Sequence, residues 1–165
     1  MAAKDFTLTQ EYLQKVFEYR DGQLYWKTPK KLKGHIAGGS RNDGYRLIQI
    51  KMGKNMCQRI LAHRIIFMIH HGYMPEVVDH IDRDKTNNRI ENLRGCTHQQ
   101  NLWNQSVRKN TKSGYKGVYW DKKRNFWNVY IAVDKKLKYF GSYKDVEQAK
   151  KIADSARKQH RGEFS

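Results

Sequence analysis

The chain has 165 residues, with 33 Lys and Arg against 16 Asp and Glu, for a formal net charge of +17. Aromatic residues make up 12% of it, which excludes a disordered polyelectrolyte, because such chains lack the rings that build a core. Its longest apolar run, residues 65–69, is too short to span a bilayer. Cys57 and Cys96 are far apart and belong to no C-x-x-C pair, which argues against a disulfide framework and a structural zinc site. Residues 1–20 lack the apolar run of a signal peptide, so a cytoplasmic location is expected.

The charge is unevenly spread. Residues 76–105 carry four basic and five acidic side chains, whereas residues 106–165 carry sixteen basic and six acidic ones. Basic flanks around a near-neutral centre suit a metal site inside a protein that binds a polyanion.

In chain order, Leu8, Tyr12, Leu13, Val16 and Phe17 share one helical face, predicting a helix over residues 7–19. Asp21-Gly22 predicts a tight turn before the strand-like Leu24-Tyr25-Trp26. Residues 27–44 read as a basic loop. Residues 45–52 and 56–60 flank Gly53-Lys54-Asn55 and predict a hairpin, and residues 62–71 predict a helix stopped by Gly72. His63 and Arg64 read as packing or DNA-facing residues.

Residues 77–104 carry the chemistry. Asp79-His80 ends a short apolar run, a polar loop follows, residues 90–93 form a second short segment, and Thr97 opens a helix with Gln100 as its reciprocal cap. His98 and Asn101 share a helix face, being three residues apart. A strand, a loop, a strand and a helix would gather Asp79, His80 and Asn101 around one point, with His98 as a possible additional ligand. Phosphodiester hydrolysis needs a deprotonated water and something to absorb charge on the phosphate. An imidazole, with a reference pKa of about 6.5, takes a proton at neutral pH. A carboxylate and an amide oxygen suit a hard divalent cation. Asp82, Asp84, Asn87 and Asn88 read first as loop formers, since such side chains cap their own backbone.

This stretch, with its DHI…NNR.ENLR….N pattern, resembles the ββα-metal core of HNH (His-Me finger) endonucleases, most closely the phage-type homing enzymes. The resemblance implies His80 as general base, Asn92 as the loop-anchoring central Asn, and Asn101 at the third motif position, where it would share the metal with Asp79. It also implies Mg²⁺ or Mn²⁺ rather than zinc, no small-molecule cofactor, and cleavage to 5′-phosphate and 3′-hydroxyl ends. A phage-encoded enzyme of this kind would work in the host cytoplasm.

Residues 106–113 are polar and basic and read as a linker. Beyond them residues 115–120, 126–133 and 137–140 are β-prone, separated by residues 122–125 and 134–136. In the middle run Trp127, Val129, Ile131 and Val133 alternate with Phe126, Asn128, Tyr130 and Ala132. Residues 145–160 predict a helix whose alanines lie against one face of the sheet and leave the other face open. YKGVYW from Tyr115, Trp127, Ile131, YFGSY from Tyr139, the helix alanines and Arg161-Gly162 resemble the DNA-binding domain of APETALA2/ethylene-response factors. That family reads the major groove with its sheet, which implies DNA contacts at Lys116, Tyr119, Tyr130 and Tyr139. Lys122, Lys123, Arg124, Asn128 and Lys138 are further candidates on the same sheet. Tyr119, Asp121 and Ala132 stand where plant factors place arginines and a tryptophan, so the plant target sequence does not carry over.

The expected architecture is therefore α+β: residues 1–75 as a basic N-terminal module, 76–105 as the ββα-metal nuclease core, 106–113 as linker, and 114–165 as a three-stranded sheet plus helix that binds DNA. The expected partner is duplex DNA, without membrane contact. The alternative is a DNA-binding regulator whose nuclease core is inactive.

Overall fold

The first helix is short and locally specified. In the computed structural model, which describes residues 8–52, 56–105, 111–133 and 136–164, the Thr9 hydroxyl accepts from the Tyr12 N–H at 3.2 Å and starts α1 (Gln10–Val16). The helix does not run to residue 19 as its periodicity predicts. Phe17 leaves it in extended conformation and opens β1 (Phe17–Arg20), which pairs antiparallel with β2 (Gln23–Trp26). Phe17-Glu18-Tyr19-Arg20 satisfies a two-residue period as well as a helical one. The Asp21-Gly22 turn decides in favour of the hairpin, which places Phe17 and Leu24 in the core.

The basic segment after β2 holds a single 3₁₀ turn at Lys30–Leu32 and the two-residue β3 (Gly39–Ser40). β3 borders β4 (Arg46–Lys51), which pairs with β5 (Cys57–Leu61) in the order β3-β4-β5. On β4 the alternation is plain: Ile48 and Ile50 are buried while Gln49 and Lys51 are exposed. α2 (Ala62–His71) follows without a break and ends at Gly72, whose N–H bonds the Met68 carbonyl at 3.0 Å. Ala62, His63, Ile65, Ile66 and Phe67 are all buried, because α1, β2, β4, β5 and the next two strands all pack on this helix.

Those strands are β6 (Val77–His80) and β7 (Leu93–Cys96), paired antiparallel with His80 opposite Leu93 and Asp79 opposite Arg94. Val78 and Leu93 join Leu13, Phe17, Leu24 and Ile66 in one hydrophobic core. A 3₁₀ turn at Ile90–Asn92 leads into β7, and α3 (His98–Asn104) follows it. Tyr19 donates no backbone to this region, yet its hydroxyl accepts from the Ile90 N–H at 3.0 Å. Gly22 also presses on it: with φ at +80°, a Cβ there would lie 2.9 Å from the Arg89 nitrogen. The β1–β2 turn thus fits against the segment that carries Asn88 and Arg89.

By compactness the chain divides into Met1–His98 and Gln99–Ser165. The second unit is built on β8 (Val118–Asp121), β9 (Phe126–Val133) and β10 (Lys136–Tyr143), antiparallel in the order β10-β9-β8. β8 begins at Val118 rather than residue 115, because the Ser113 hydroxyl bonds the Tyr115 and Val118 carbonyls and bends the chain before it. β10 runs past residue 140 to Tyr143 through a register shift between Tyr139 and Ser142. Asp145 accepts from the N–H groups of Glu147 and Gln148 and caps α4 (Val146–Arg161). Ala149, Ala153 and Ala156 of α4 pack on Val129, Ile131 and Val133 of the central strand. The small side chains let the helix lie close to the sheet, as the alternation in β9 predicts.

Among the described residues, no helix is long and apolar enough to cross a membrane. The expected turn residues 53–55 and 134–135, the linker residues 106–110, and Thr7 lie outside the described residues.

Candidate active site

The site is built on the β6–β7 hairpin and the loop that joins its strands. Asn92 closes that loop. Its Nδ2 donates to the Asp82 carboxylate at 2.9 Å and to the Asn87 carbonyl at 2.8 Å, while its Oδ1 accepts from the Asp82 N–H at 3.1 Å. Its backbone carbonyl accepts from the Ile81 N–H at 2.9 Å. Asp82 and Asp84 cap turns inside the loop, accepting from the N–H groups of Asp84 and Thr86 at 2.8 and 2.9 Å. Asp82 also receives the Asn87 carboxamide at 2.7 Å. Both aspartates therefore sit as loop formers, the role their residue type suggests.

The closed loop carries Asn88 inward. Asn88 is buried, and its Oδ1 lies 2.9 Å from His80 Nε2. A carboxamide oxygen only accepts, so Nε2 carries the hydrogen, and the neutral ring has its lone pair on Nδ1. His80 itself is 4% exposed, at the end of β6. Asp79, its neighbour on the strand, is 7% exposed and receives Nε and a terminal nitrogen of Arg94 on Oδ2 at 3.1 and 3.0 Å. The cross-strand register puts Asp79 opposite Arg94 and so creates this ion pair.

Two side chains not assigned to the site from sequence adjoin it. The His63 ring, at the start of α2, lies 5.0 Å from the His80 ring, and Tyr45 lies 5.2 Å from His63 and 6.0 Å from His80. Burial, reinforced by His80 and Arg64, pushes the His63 pKa down to about 3, so this ring is neutral. Burial also raises the Tyr45 hydroxyl, with Asp43 and Asp79 adding to it. The ammonium of Lys85 sits 4.7 Å from the Tyr45 ring centroid. The Arg64 guanidinium donates to the Pro75 and Glu76 carbonyls, a bracing role. Both cysteines are free, and burial pushes Cys96 up to about 11, which leaves it a poor nucleophile.

The structure thus brings His80, Asp79 and Asn92 together on one hairpin, and adds Asn88 and Arg94, which stand in the motif's letters without an assigned site role, and His63, which lies outside the motif. His98 is 75% exposed, and its Nε2 lies 3.2 Å from the Glu76 carboxylate. Asn101 lies one turn further along α3 and is half-buried. Among the described residues, no three of His, Cys, Asp or Glu are grouped to hold a metal ion.

In the second unit Tyr119, Tyr130 and Tyr139 form a row across the sheet face opposite α4, with ring centroids 6.3 and 5.2 Å apart. Tyr119 and Tyr139 are more than half exposed, as is Leu137. Lys122, Lys123 and Arg124 form the exposed β8–β9 hairpin tip, and Lys138 is exposed on β10. Lys116 is placed differently from an open DNA contact, because its ammonium donates to the Trp103 carbonyl at 2.8 Å. Asn128 is half-buried and accepts from the Ser142 hydroxyl.

Burial tends to raise the Asp82 pKa, but the hydrogen bonds from Asn87, Asn92 and the Asp84 N–H hold it below its usual value. Asp84 is likewise lowered, chiefly by the Thr86 hydroxyl and N–H. A carboxylate depressed in the folded state contributes stability that is full above its unfolded pKa and is lost as pH falls through the folded value. The loop should therefore hold at neutral pH and loosen on acidification below about pH 4. Proton NMR of the Asp84 and Thr86 amides across pH 2–7 measures this, with Asp82→Asn expected to remove the pH dependence at the Asp84 amide and to leave that of the Thr86 amide, which Asp84 holds.

The profile of the HNH endonuclease family matches residues 61–102, which include β6, its loop, β7 and most of α3. Protein 3.8 of Escherichia phage T7 is 33% identical over 88 residues, spanning 53% of this chain and 72% of that protein. An uncharacterized HNH endonuclease of Acanthamoeba polyphaga mimivirus is 37% identical over 86 residues, which are 50% of this chain but 24% of that longer protein. No solved structure matches. With the family profile lying over the hairpin that holds Asp79, His80 and Asn92, the chain belongs to the HNH endonuclease family.

Proposed function

We propose that this chain is a divalent-metal-dependent DNA endonuclease of the phage homing type, with His80 as the base of a ββα-metal core. The observation that carries the reading is the setting of His80. It is a buried imidazole whose Nε2–H is committed to Asn88, so its lone pair is on Nδ1. A ring held in one tautomer and orientation is what proton abstraction at a defined position requires. Water gives its proton to Nδ1 while its oxygen bonds to phosphorus. The bond from phosphorus to the 3′ oxygen breaks, and protonation of that oxygen leaves 5′-phosphate and 3′-hydroxyl ends. Asn92 acts through the loop it closes, holding Asn88 against the ring.

Asp79 and Asn101 are the residues we assign to hold Mg²⁺ or Mn²⁺, Asn101 by its place in the motif. Oxygen donors suit such a cation. A carboxylate accepts at about four lone-pair positions, so the Arg94 pair and metal ligation are compatible at Asp79. Few protein donors leave the remaining positions to water and to phosphate. When bound, the cation supplies charge relief at the phosphate and the departing oxygen. His98, paired with Glu76 on the surface, is not needed in this assignment.

The open face of the second unit is the proposed duplex-DNA contact, in the manner of an APETALA2/ethylene-response-factor domain. The tyrosine row supplies apolar and hydroxyl contacts, while Lys122, Lys123, Arg124 and Lys138 surround it with positive charge. Lys116 is better described as a brace for the unit than as a contact.

Three variants check this reading. His80→Ala should slow plasmid cleavage by about 10²–10⁴-fold, because a general base is removed, while DNA affinity stays close to wild type. Asn88→Ala should slow it at least about tenfold, since it leaves a buried N–H unpaired and the ring unheld, and an unpaired buried donor costs about 1–3 kcal/mol. Asn88→Asp, which still presents an oxygen to Nε2, should recover part of the activity. Separately, replacing Lys122, Lys123 and Arg124 together by alanine should flatten the log–log dependence of DNA affinity on salt. Each DNA phosphate that is no longer neutralised by a cation takes about 0.9 off the slope, so the triple change takes off up to about 2.7.

A further inference from the structure

His63 has no part in the mechanism above, yet it is 4% exposed and its ring packs in a triangle with those of Tyr45 and His80. Its ring makes no hydrogen bond among the described residues. Nor is either of its nitrogens sealed from solvent. Arg161 Nε, in the other unit, is the one unpartnered side-chain nitrogen or oxygen that is fully closed off among the described residues. The little accessible surface that His63 keeps therefore includes its polar atoms.

That placement is poor for a residue serving only to pack. An imidazole at this position gives up apolar burial that phenylalanine or leucine would supply, and keeps polar atoms open to a ligand. The rest of α2's buried side shows what packing asks for, since Ile65, Ile66 and Phe67 are apolar. His63 stands one turn before Phe67, where α2 meets the end of β6 and the base. Its ring is neutral at physiological pH because burial disfavours the charged form, so it has one N–H to give and adds no charge beside His80.

We propose that His63 is a further catalytic residue: its N–H donates to a non-bridging oxygen of the DNA phosphate bound beside His80 and carries part of the charge that develops there. The contribution to cutting rests on the nuclease reading. The bond to phosphate rests on the position of the ring and stands or falls apart from that reading. A fixed donor aimed at developing charge acts most strongly in the transition state, so the effect should fall on kcat rather than on DNA affinity.

The test uses the full chain. With a chelator present, the His63 ring nitrogens are followed by ¹H–¹⁵N NMR as a duplex oligonucleotide is added. Plasmid nicking is then measured with Mg²⁺ or Mn²⁺ for wild type, His63→Phe and His63→Gln, after checking that melting temperatures agree. The expected results are a shift of the His63 nitrogens on binding, and a fall in kcat of about 10²–10³-fold for His63→Phe with KM changed less than about threefold. His63→Gln, which keeps a donor, should retain at least tenfold more activity than His63→Phe. Unchanged His63 nitrogens on DNA binding would overturn the proposed bond to phosphate, whether or not the protein cuts. Equal cutting by His63→Phe and wild type, or an equal fall in both variants, would overturn the catalytic role. A wild type that never nicks but still shifts His63 on binding would overturn the nuclease reading and uphold the bond to phosphate.

Discussion

One carboxamide closes the loop on which the site depends. Asn92 bonds Asp82 at the loop's start and Asn87 near its end, and these bonds fix the path of the residues between them. Only on that path does Asn88 reach His80 Nε2. The order of dependence is therefore Asn92, loop, Asn88, imidazole. The core supplies the base on which this stands. β6 and β7 pack on α2 through Val78 and Leu93, while Tyr19 and the Gly22 turn hold the far side of the loop. Without that packing a polar loop of this length would not keep Asn88 and Asn92 buried and in register.

The same economy of polar contacts explains Asp79. A buried carboxylate requires a partner, and the hairpin register supplies Arg94 directly opposite. The pair restrains the carboxylate's orientation beside His80. In the second unit the arrangement is inverted: the apolar face is satisfied by the α4 alanines, and the opposite face presents rings and cations to solvent. A basic surface of this kind suits a polyanion, in keeping with the charge excess of residues 106–165.

Much of this is legible in the sequence where a local rule acts alone. The helix at 62–71 ends at Gly72 as its punctuation predicts, and β9 runs over residues 126–133 as its alternation predicts. Legibility fails where two periods fit the same residues: Phe17 and Tyr19 extend a helical stripe, but the Asp21-Gly22 turn and burial of Phe17 against Leu24 make them a strand. The residue types at Asp79, His80 and Asn92 announce a hairpin site, whereas their partners do not. Asn88 reads as a loop former until tertiary structure turns it inward, and His63 lies outside the motif's spacing, brought in by α2 packing. Arg94 is the recoverable miss, since pairing β6 with β7 in register places it opposite Asp79.

The central claim is that this fold cuts duplex DNA with the help of a divalent cation. Incubating wild-type protein with supercoiled plasmid and Mg²⁺ or Mn²⁺, with and without EDTA, tests it most directly. The account predicts conversion to nicked circles whose new ends carry 5′-phosphate and 3′-hydroxyl, abolished by the chelator. Supercoiled plasmid left intact with either metal, or nicking that persists in EDTA, would contradict it.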